Sequence, residues 1–555
     1  MKITTKHFFL PLAVLSAVAL PYGCAKNDIE GSEKTDATRE ASPTIWNLND
    51  EATTRADAYN AVPQEFMEEA KNARFFALNP ALKKETGAKV NDIVNLQLFE
   101  GDGYQATVSN IVTDVNGNYT LSLKLVGYPM GFGVITTSTE GKSLVTVSVP
   151  EKGRIYGSLL NAKSNEYYLL DKDNSKRKYI DFHDDAIEIT NTDQNNASGN
   201  PHLNAVATRA LGEDDPATID LLIVYTPAAA NSTYSAQRGG INNVISTMIA
   251  LGNTAMELSK TSITLRLARS EQVDYTETDM NTSLSQLQGT TDGYMDNVHQ
   301  LRTQYGADLV QLISSDAGGG LGYLINSSGG NYRYCFSVVN VTQVGGDYPC
   351  SVHELGHNMG LSHGANMLDY SVSKGLFSYS FGWDWIGNDG RRYTSVMGYW
   401  SPESYADNQR RYNTAYFSNP NVSHQGVPTG DAVKADAARS LRKIKHVVAN
   451  YETIKEEPPV VFSGFTLNNG DKTALFHTAK LNLTISGGTP THYMSSESSS
   501  FDGASWKVYD TSALTHTFDK DETGIKTVYV KLKNSRGETE VRSDEIYYKP
   551  AYPVN

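Results

Sequence analysis

The chain has 555 residues and a mass of 60.7 kDa, a length that calls for about three to four domains. Hydrophobic residues make up 39% and charged residues 20%, which excludes a multi-span membrane protein. The formal charge of -14 excludes a general nucleic-acid binder, which needs a basic footprint. Three cysteines occur, Cys24, Cys335 and Cys350. They are too few for a disulfide-dense scaffold or a four-cysteine metal site, so any metal site must use His and carboxylates.

At the amino terminus Lys2 and Lys6 precede an apolar run from Phe8 to Leu20, and Pro21, Tyr22 and Gly23 lead to Cys24. A basic start and a short apolar stretch read as a secretory signal over 1–23. Gly23-Cys24 resembles the lipobox of bacterial lipoproteins, which makes Cys24 the expected lipidation site; Pro21 and Tyr22 depart from that pattern. The protein is then expected to be exported and lipid-anchored at a bacterial outer membrane or cell surface, or secreted if the lipobox is not used. The polar stretch 24–60 reads as a flexible tether.

From Pro63 the pattern suggests a short helix, Gln64 to Arg74, followed by alternating segments such as 93–98, 119–125 and 143–149. Period-two alternation broken by Gly, Asn and Asp predicts a β-rich domain over 61–205. Lys176-Arg177-Lys178 and Arg209-Ala210 are candidate processing sites. The periodicity then changes. Apolar strands at 219–225, 263–268 and 308–313 alternate with helical patterns at 234–259 and 284–305, and a last helix spans 431–451. This order predicts an α/β domain over 212–455. Pro458-Pro459 marks a linker, and 459–555 alternates like an all-β sandwich, with Val528 to Lys533 before a turn at Asn534.

The chemistry is concentrated in His353-Glu354-Leu355-Gly356-His357, continued by Gly360 and His363. On a helix, His353 and His357 lie four apart and present both imidazoles on one face. Gly360 permits the turn that lets His363 return as a third ligand. Three protein ligands leave a position for water, the pattern of a catalytic zinc site, and Glu354 stands beside it as a candidate general base. These five fixed positions have a chance expectation on the order of 10⁻⁵ in a chain of this length.

The extended motif resembles that of the metzincin metallopeptidases. Ser395-Val396-Met397-Gly398-Tyr399 lies where that family has its Met-turn, which would place Met397 under one zinc ion and bring Tyr399 toward it. Within the metzincins, 218–452 is most similar to bacterial reprolysin-like and peptidyl-Asp metalloendopeptidase-like domains, through Tyr225-Thr226-Pro227, Gly306 to Val310, Phe417 to Pro420 and Ala435 to Arg439. Gly364 departs from the Asp usual after the third histidine in reprolysins. The resemblance implies a substrate-binding edge strand at Gly320, Leu321, Gly322 and Tyr323, with a plain Gly-rich loop as the alternative. A disulfide between Cys335 and Cys350 is expected in an oxidising compartment. Trp400, Arg410 and Arg411 are candidate pocket residues.

Residues 61–205 stand in the place of a propeptide, with occlusion of the cleft, an inhibitory Asp or a permanent domain as the alternatives. The carboxy-terminal module resembles immunoglobulin- or fibronectin-like modules through Trp506 and Lys526 to Lys531. The functional expectation is an exported zinc endopeptidase acting on proteins or peptides, which meets a membrane only through its lipid anchor. The alternative is a surface-binding lipoprotein, or adhesin, with a catalytically silent metzincin domain.

Overall fold

In the computed structural model of the chain, the alternating amino-terminal segments build a nine-stranded sheet. Its order is Ile45–Asn47, Ile93–Phe99, Asp102–Thr113, Tyr119–Leu125, Phe132–Thr137, Ser143–Val149, Arg154–Asn161, Glu166–Lys172 and Ala70–Phe76. The structure describes residues 43–50, 62, 64–68, 70–84, 87–161, 163–173, 186–189, 212–316, 318–344, 350–368, 374–452, 460–487, 490–509, 514–534 and 537–550. The leader, Cys24, Lys176-Arg177-Lys178 and Arg209-Ala210 lie outside the described residues.

Two expectations for this region are corrected. The helix expected over 64–74 is one 3₁₀ turn, Gln64–Met67, followed by the strand Ala70–Phe76. Pairing of that strand with Glu166–Lys172 buries Ala70, Ala73 and Phe76 and outweighs local helix preference. The tether expected to reach residue 60 contains structure from Thr44. Ile45–Asn47 joins the sheet in parallel with Ile93 to Asn95, Asp92 accepts from the Trp46 indole at 2.8 Å, and Leu48 is fully buried. Five residues are too short a pattern to stand out from a polar stretch.

The middle of the chain forms a six-stranded sheet ordered Ala186–Glu188, Gly320–Leu324, Phe336–Asn340, Leu309–Ser314, Ala217–Tyr225 and Ile263–Gln272. All neighbours are parallel except Gly320–Leu324 with Phe336–Asn340. Leu309–Ser314 and Phe336–Asn340 are buried along their whole length, as the near-continuous apolar runs of a covered parallel sheet require. Helix Ile241–Leu258 packs on Ile263–Gln272, and helix Cys350–Asn358 lies against Gly320–Leu324 and Phe336–Asn340. The helix expected at 284–305 is two helices, Met280–Gln288 and Asn297–Tyr305, interrupted where Gly293 takes φ 87°. The last helix is shorter than its pattern. It spans Ala437–Val448, starting where the Asp436 side chain accepts from the Arg439 N–H.

Beyond residue 460 a three-stranded sheet (Val460–Leu467, Thr478–Gly487, Thr515–Thr517) and a larger one centred on Gly524–Asn534 share one core of Phe462, Leu481, Tyr493, Phe518, Val528 and Val530. Trp506, expected to help define this module, sits outside that core with its ring under Lys531 and Lys533. The chain is thus β-rich and multidomain, each sheet system having its own apolar core. Among the described residues no helix is long and apolar enough to cross a membrane.

Candidate metal centre and active site

The nine residues of helix Cys350–Asn358 are all buried. Gly360, at φ 84°, ends the helical turn; its N–H donates to His357 O and the Leu361 N–H to Gly356 O, both at 2.9 Å. The short strand Ser362–Gly364, paired with Phe381–Gly382, then carries His363 back beside the helix. Ring centres of His353, His357 and His363 are 4.8, 5.5 and 4.9 Å apart, and one ligand nitrogen from each lies within 4.8 Å of the others.

The ring orientations favour a cation. His353 Nδ1 is 2.7 Å from Val396 O, and His357 Nδ1 is 2.7 Å from Leu361 O. A carbonyl only accepts, so both Nδ1 atoms donate and both Nε2 atoms present lone pairs, 3.1 Å apart. A tetrahedral zinc with ordinary Zn–N bonds sets neighbouring ligand nitrogens about 3.3 Å apart. The donor set therefore fits zinc.

Met397 is fully buried, and its sulfur lies so close to Gly356 that a Cβ there would meet it at 2.7 Å. The residue before it, Val396, supplies the carbonyl that orients His353. Tyr399 Oη stands 3.1 Å from His363 Nε2, and its ring is nearly parallel to His353 at 6.0 Å. Glu354 is fully buried, and the strand bearing Gly320 and Gly322 lies against it. The structure thus gathers His353, Glu354, His357, His363, Met397, Tyr399, Gly320 and Gly322 in one place.

Two sequence expectations are corrected here. Gly320–Leu324 is a strand, but not the sheet's edge. Ala186–Glu188 pairs with it in parallel, Ala186 opposite Gly322 and Glu188 opposite Leu324. Ile189 is buried in the same core, its carbonyl accepts from Asn326 at 3.3 Å, and the Glu188 carboxylate accepts from the Lys374 N–H at 3.1 Å. Three residues after a polar stretch carry too little pattern for sequence reading to find. The expected disulfide is not formed either. Cys335 and Cys350 are separate buried thiols: Cys335 Sγ donates to Tyr332 O at 2.9 Å, and Cys350 faces Glu354 across 3.9 Å. Burial pushes the Cys335 thiol up to about 11, holding it protonated.

Sequence reasoning missed the clamps on the metal helix. Asn358 donates through Nδ2 to Tyr323 O at 3.0 Å and Phe336 O at 2.9 Å, tying the helix end to two strands. Gln311 Nε2 donates to Ser351 O at 3.1 Å, and the Ser351 hydroxyl donates to Gln311 Oε1 at 2.6 Å at the other end. The signal available was a polar residue, Gln311, inside an apolar strand, and Asn358 beside a ligand; neither names its partner.

Residues 242–364 match a metallo-peptidase family M12B reprolysin-like domain. The chain is 30% identical over 309 residues to a peptidyl-Asp metalloendopeptidase of Stenotrophomonas maltophilia, covering 55% of this chain and 68% of that protein. It is 32% identical over 253 residues to a protein of the same name in Xanthomonas campestris, covering 45% of this chain and 56% of that protein. The solved metalloproteinase-II from Bacteroides fragilis aligns at a TM-score of 0.32 and 9% identity over 67% of this chain and 94% of that one, a likeness too slight to argue from. Similarity running far beyond the histidine motif is more than a shared motif, and the chain therefore belongs to the reprolysin-like zinc metallopeptidases, as a metalloendopeptidase.

Proposed function

We propose that the chain is an exported zinc endopeptidase that hydrolyses peptide bonds of proteins with Glu354 as its general base. The observation that carries this reading is the convergence of His353, His357 and His363 beside the buried Glu354. Bound zinc supplies Lewis-acid polarisation of the scissile carbonyl and lowers the pKa of a coordinated water. Glu354 accepts the proton of the attacking water and hands it to the leaving amine, with no covalent enzyme intermediate. Tyr399 Oη, beside His363, donates to the carbonyl oxygen as charge builds there. Met397 packs its sulfur against Gly356 of the helix that carries His353 and His357. Because the relatives carry the name peptidyl-Asp metalloendopeptidase, the proposed substrate class is peptides with an acidic residue at the scissile bond.

The same proposal assigns 1–23 as a signal, Cys24 as a lipid anchor and 61–205 as a pro-region. It assigns 212–455 as the catalytic domain and 459–555 as an immunoglobulin-like module. Latency is supported by Ala186–Glu188, which takes the side of strand Gly320–Leu324 that an extended substrate would need.

The test is Glu354→Gln in the full chain after limited trypsin treatment. The variant should bind zinc as the wild type does and lose cleavage by roughly a thousandfold. Activity within tenfold of wild type would overturn the assignment of Glu354.

A further inference from the structure

Tyr399 meets the histidines through its side chain, its ring centre 4.9 Å from that of His363 and its hydroxyl 3.1 Å from His363 Nε2. The residue before it, Gly398, has no side chain because a Cβ there would collide with Thr394 Oγ1. A glycine restrains the chain weakly, so whatever holds the Tyr399 main chain on its other side bears on where that hydroxyl sits.

Tyr405 supplies this hold, its hydroxyl donating to Tyr399 O at 2.7 Å. A phenol has one proton to give, so at the 3.2 Å contact with Thr394 the Thr394 hydroxyl donates and Tyr405 Oη accepts. Thr394 is fixed in turn. It ends strand Arg392–Thr394, which pairs with Asp384–Ile386 and Tyr412–Asn413. Its carbonyl accepts from the Thr414 N–H at 3.1 Å and the Thr414 hydroxyl at 2.8 Å. The Tyr405 ring is braced as well. Arg411, expected to line a pocket, is buried with its guanidinium 3.6 Å from the centre of that ring, and Asp384 at 2.9 Å and Asp407 at 2.6 Å hold its charge. Thr394, Tyr399 and Tyr405 are buried with it. A bare phenyl ring would fill the same volume against Arg411. The hydroxyl adds a bond to the main chain of the residue that faces the three histidines.

We propose that Tyr405 is a positioning residue of the metal centre. Its hydroxyl, fed by Thr394, fixes the Tyr399 main chain and thereby keeps Tyr399 Oη where the scissile carbonyl oxygen gains its charge. The proposal rests on the reading of Tyr399 given above.

The experiment is a double-mutant cycle in the trypsin-treated full chain, read as kcat and KM for an Asp-containing fluorogenic peptide, with zinc content and Tm measured for each variant. Tyr399→Phe should lower kcat by roughly a hundredfold, the loss of one transition-state donor. Tyr405→Phe should lower kcat by about tenfold at unchanged KM and zinc content, the effect of a donor held slightly out of place. In the Tyr399→Phe background, where no hydroxyl is left to position, Tyr405→Phe should change kcat by less than about twofold. Thr394→Ala should repeat this pattern with a smaller loss, and Thr394→Ser, which keeps the donor, should retain wild-type kcat. If Tyr405→Phe folds poorly, the cycle of Thr394→Ala with Tyr399→Phe carries the same test. An equal loss in both backgrounds overturns the proposal, because Tyr405 then acts other than through the Tyr399 hydroxyl. Wild-type kcat in Tyr405→Phe overturns it too, and leaves the reading of Tyr399 standing. Wild-type kcat in Tyr399→Phe overturns that reading, and the proposal with it.

Discussion

At residue 320 a hydrogen is the whole side chain because the Glu354 carboxylate occupies the space a Cβ would take. Gly322 is nearly as tight, its missing Cβ facing Glu354 O at 3.1 Å and the His357 Cβ at 3.4 Å. The two glycines therefore set how closely the strand approaches the metal helix. Gly320→Ala should displace the carboxylate and lower kcat by roughly tenfold or more while zinc stays bound, since the three histidines are held by other contacts. Steady-state kinetics with metal analysis of the purified variant checks this; wild-type kcat would show that Glu354 adjusts freely. The sequence made these glycines visible as a Gly-rich edge, but not their reason. A glycine has no side chain to pattern, and what excludes a Cβ there is a residue more than 30 positions away.

The decisive element is the three-residue strand Ala186–Glu188. It turns Gly320–Leu324 from a sheet edge into an interior strand, and it comes from the segment just before the metallopeptidase domain. Its hold is local: three register pairs, the Glu188 and Ile189 hydrogen bonds, and the buried Ile189 side chain. Burying an isoleucine is worth about 2 kcal/mol, so an acidic residue there should release the strand. Ile189→Asp in the untreated full chain is expected to raise the initial rate of peptide cleavage several-fold. An unchanged rate, with Tm showing an intact fold, would overturn the proposal that strand addition makes the chain latent.

Across the molecule, the amino-terminal sheet is fastened to helix Ile241–Leu258. Phe132 and Val134 pack on Ala250 and Leu251, Thr247 Oγ1 donates to Thr136 Oγ1 at 2.9 Å, and Asn118 Nδ2 to Ser246 Oγ at 3.0 Å. A second seam joins Met130 to Trp385, Tyr393 and Tyr416. His424 lies in it, 4.3 Å from the Tyr393 ring centre, with neither ring nitrogen hydrogen-bonded. Burial pushes its pKa down to about 4; the nearby Asp389 opposes this only in part. A histidine depressed in the fold contributes stability that is complete above the unfolded value near 6.5 and is lost as pH falls through 4. Protonation should cost about 3 kcal/mol at most. Tm should fall between pH 6.5 and 4, and His424→Phe should flatten that fall relative to wild type. Parallel Tm profiles for the two proteins would refute it.

What the amino-acid sequence determined by itself was everything that repeats or sits at fixed spacing. The three histidines and Glu354 follow from one helical turn and one glycine turn, and the strands read at 93–98, 119–125, 143–149, 219–225 and 308–313 from runs long enough to show their period, which the structure holds within a residue or two. The tertiary structure alone decided which strand lies beside which: Ala186–Glu188 on Gly320–Leu324, Arg411 between Asp384 and Asp407, Asn358 across two strands, and two cysteines that do not meet. Local pattern records the burial of a face, because every residue of that face must be apolar. A partner contributed by a distant segment leaves no such record, because one pairing residue, or three, is enough to make the contact.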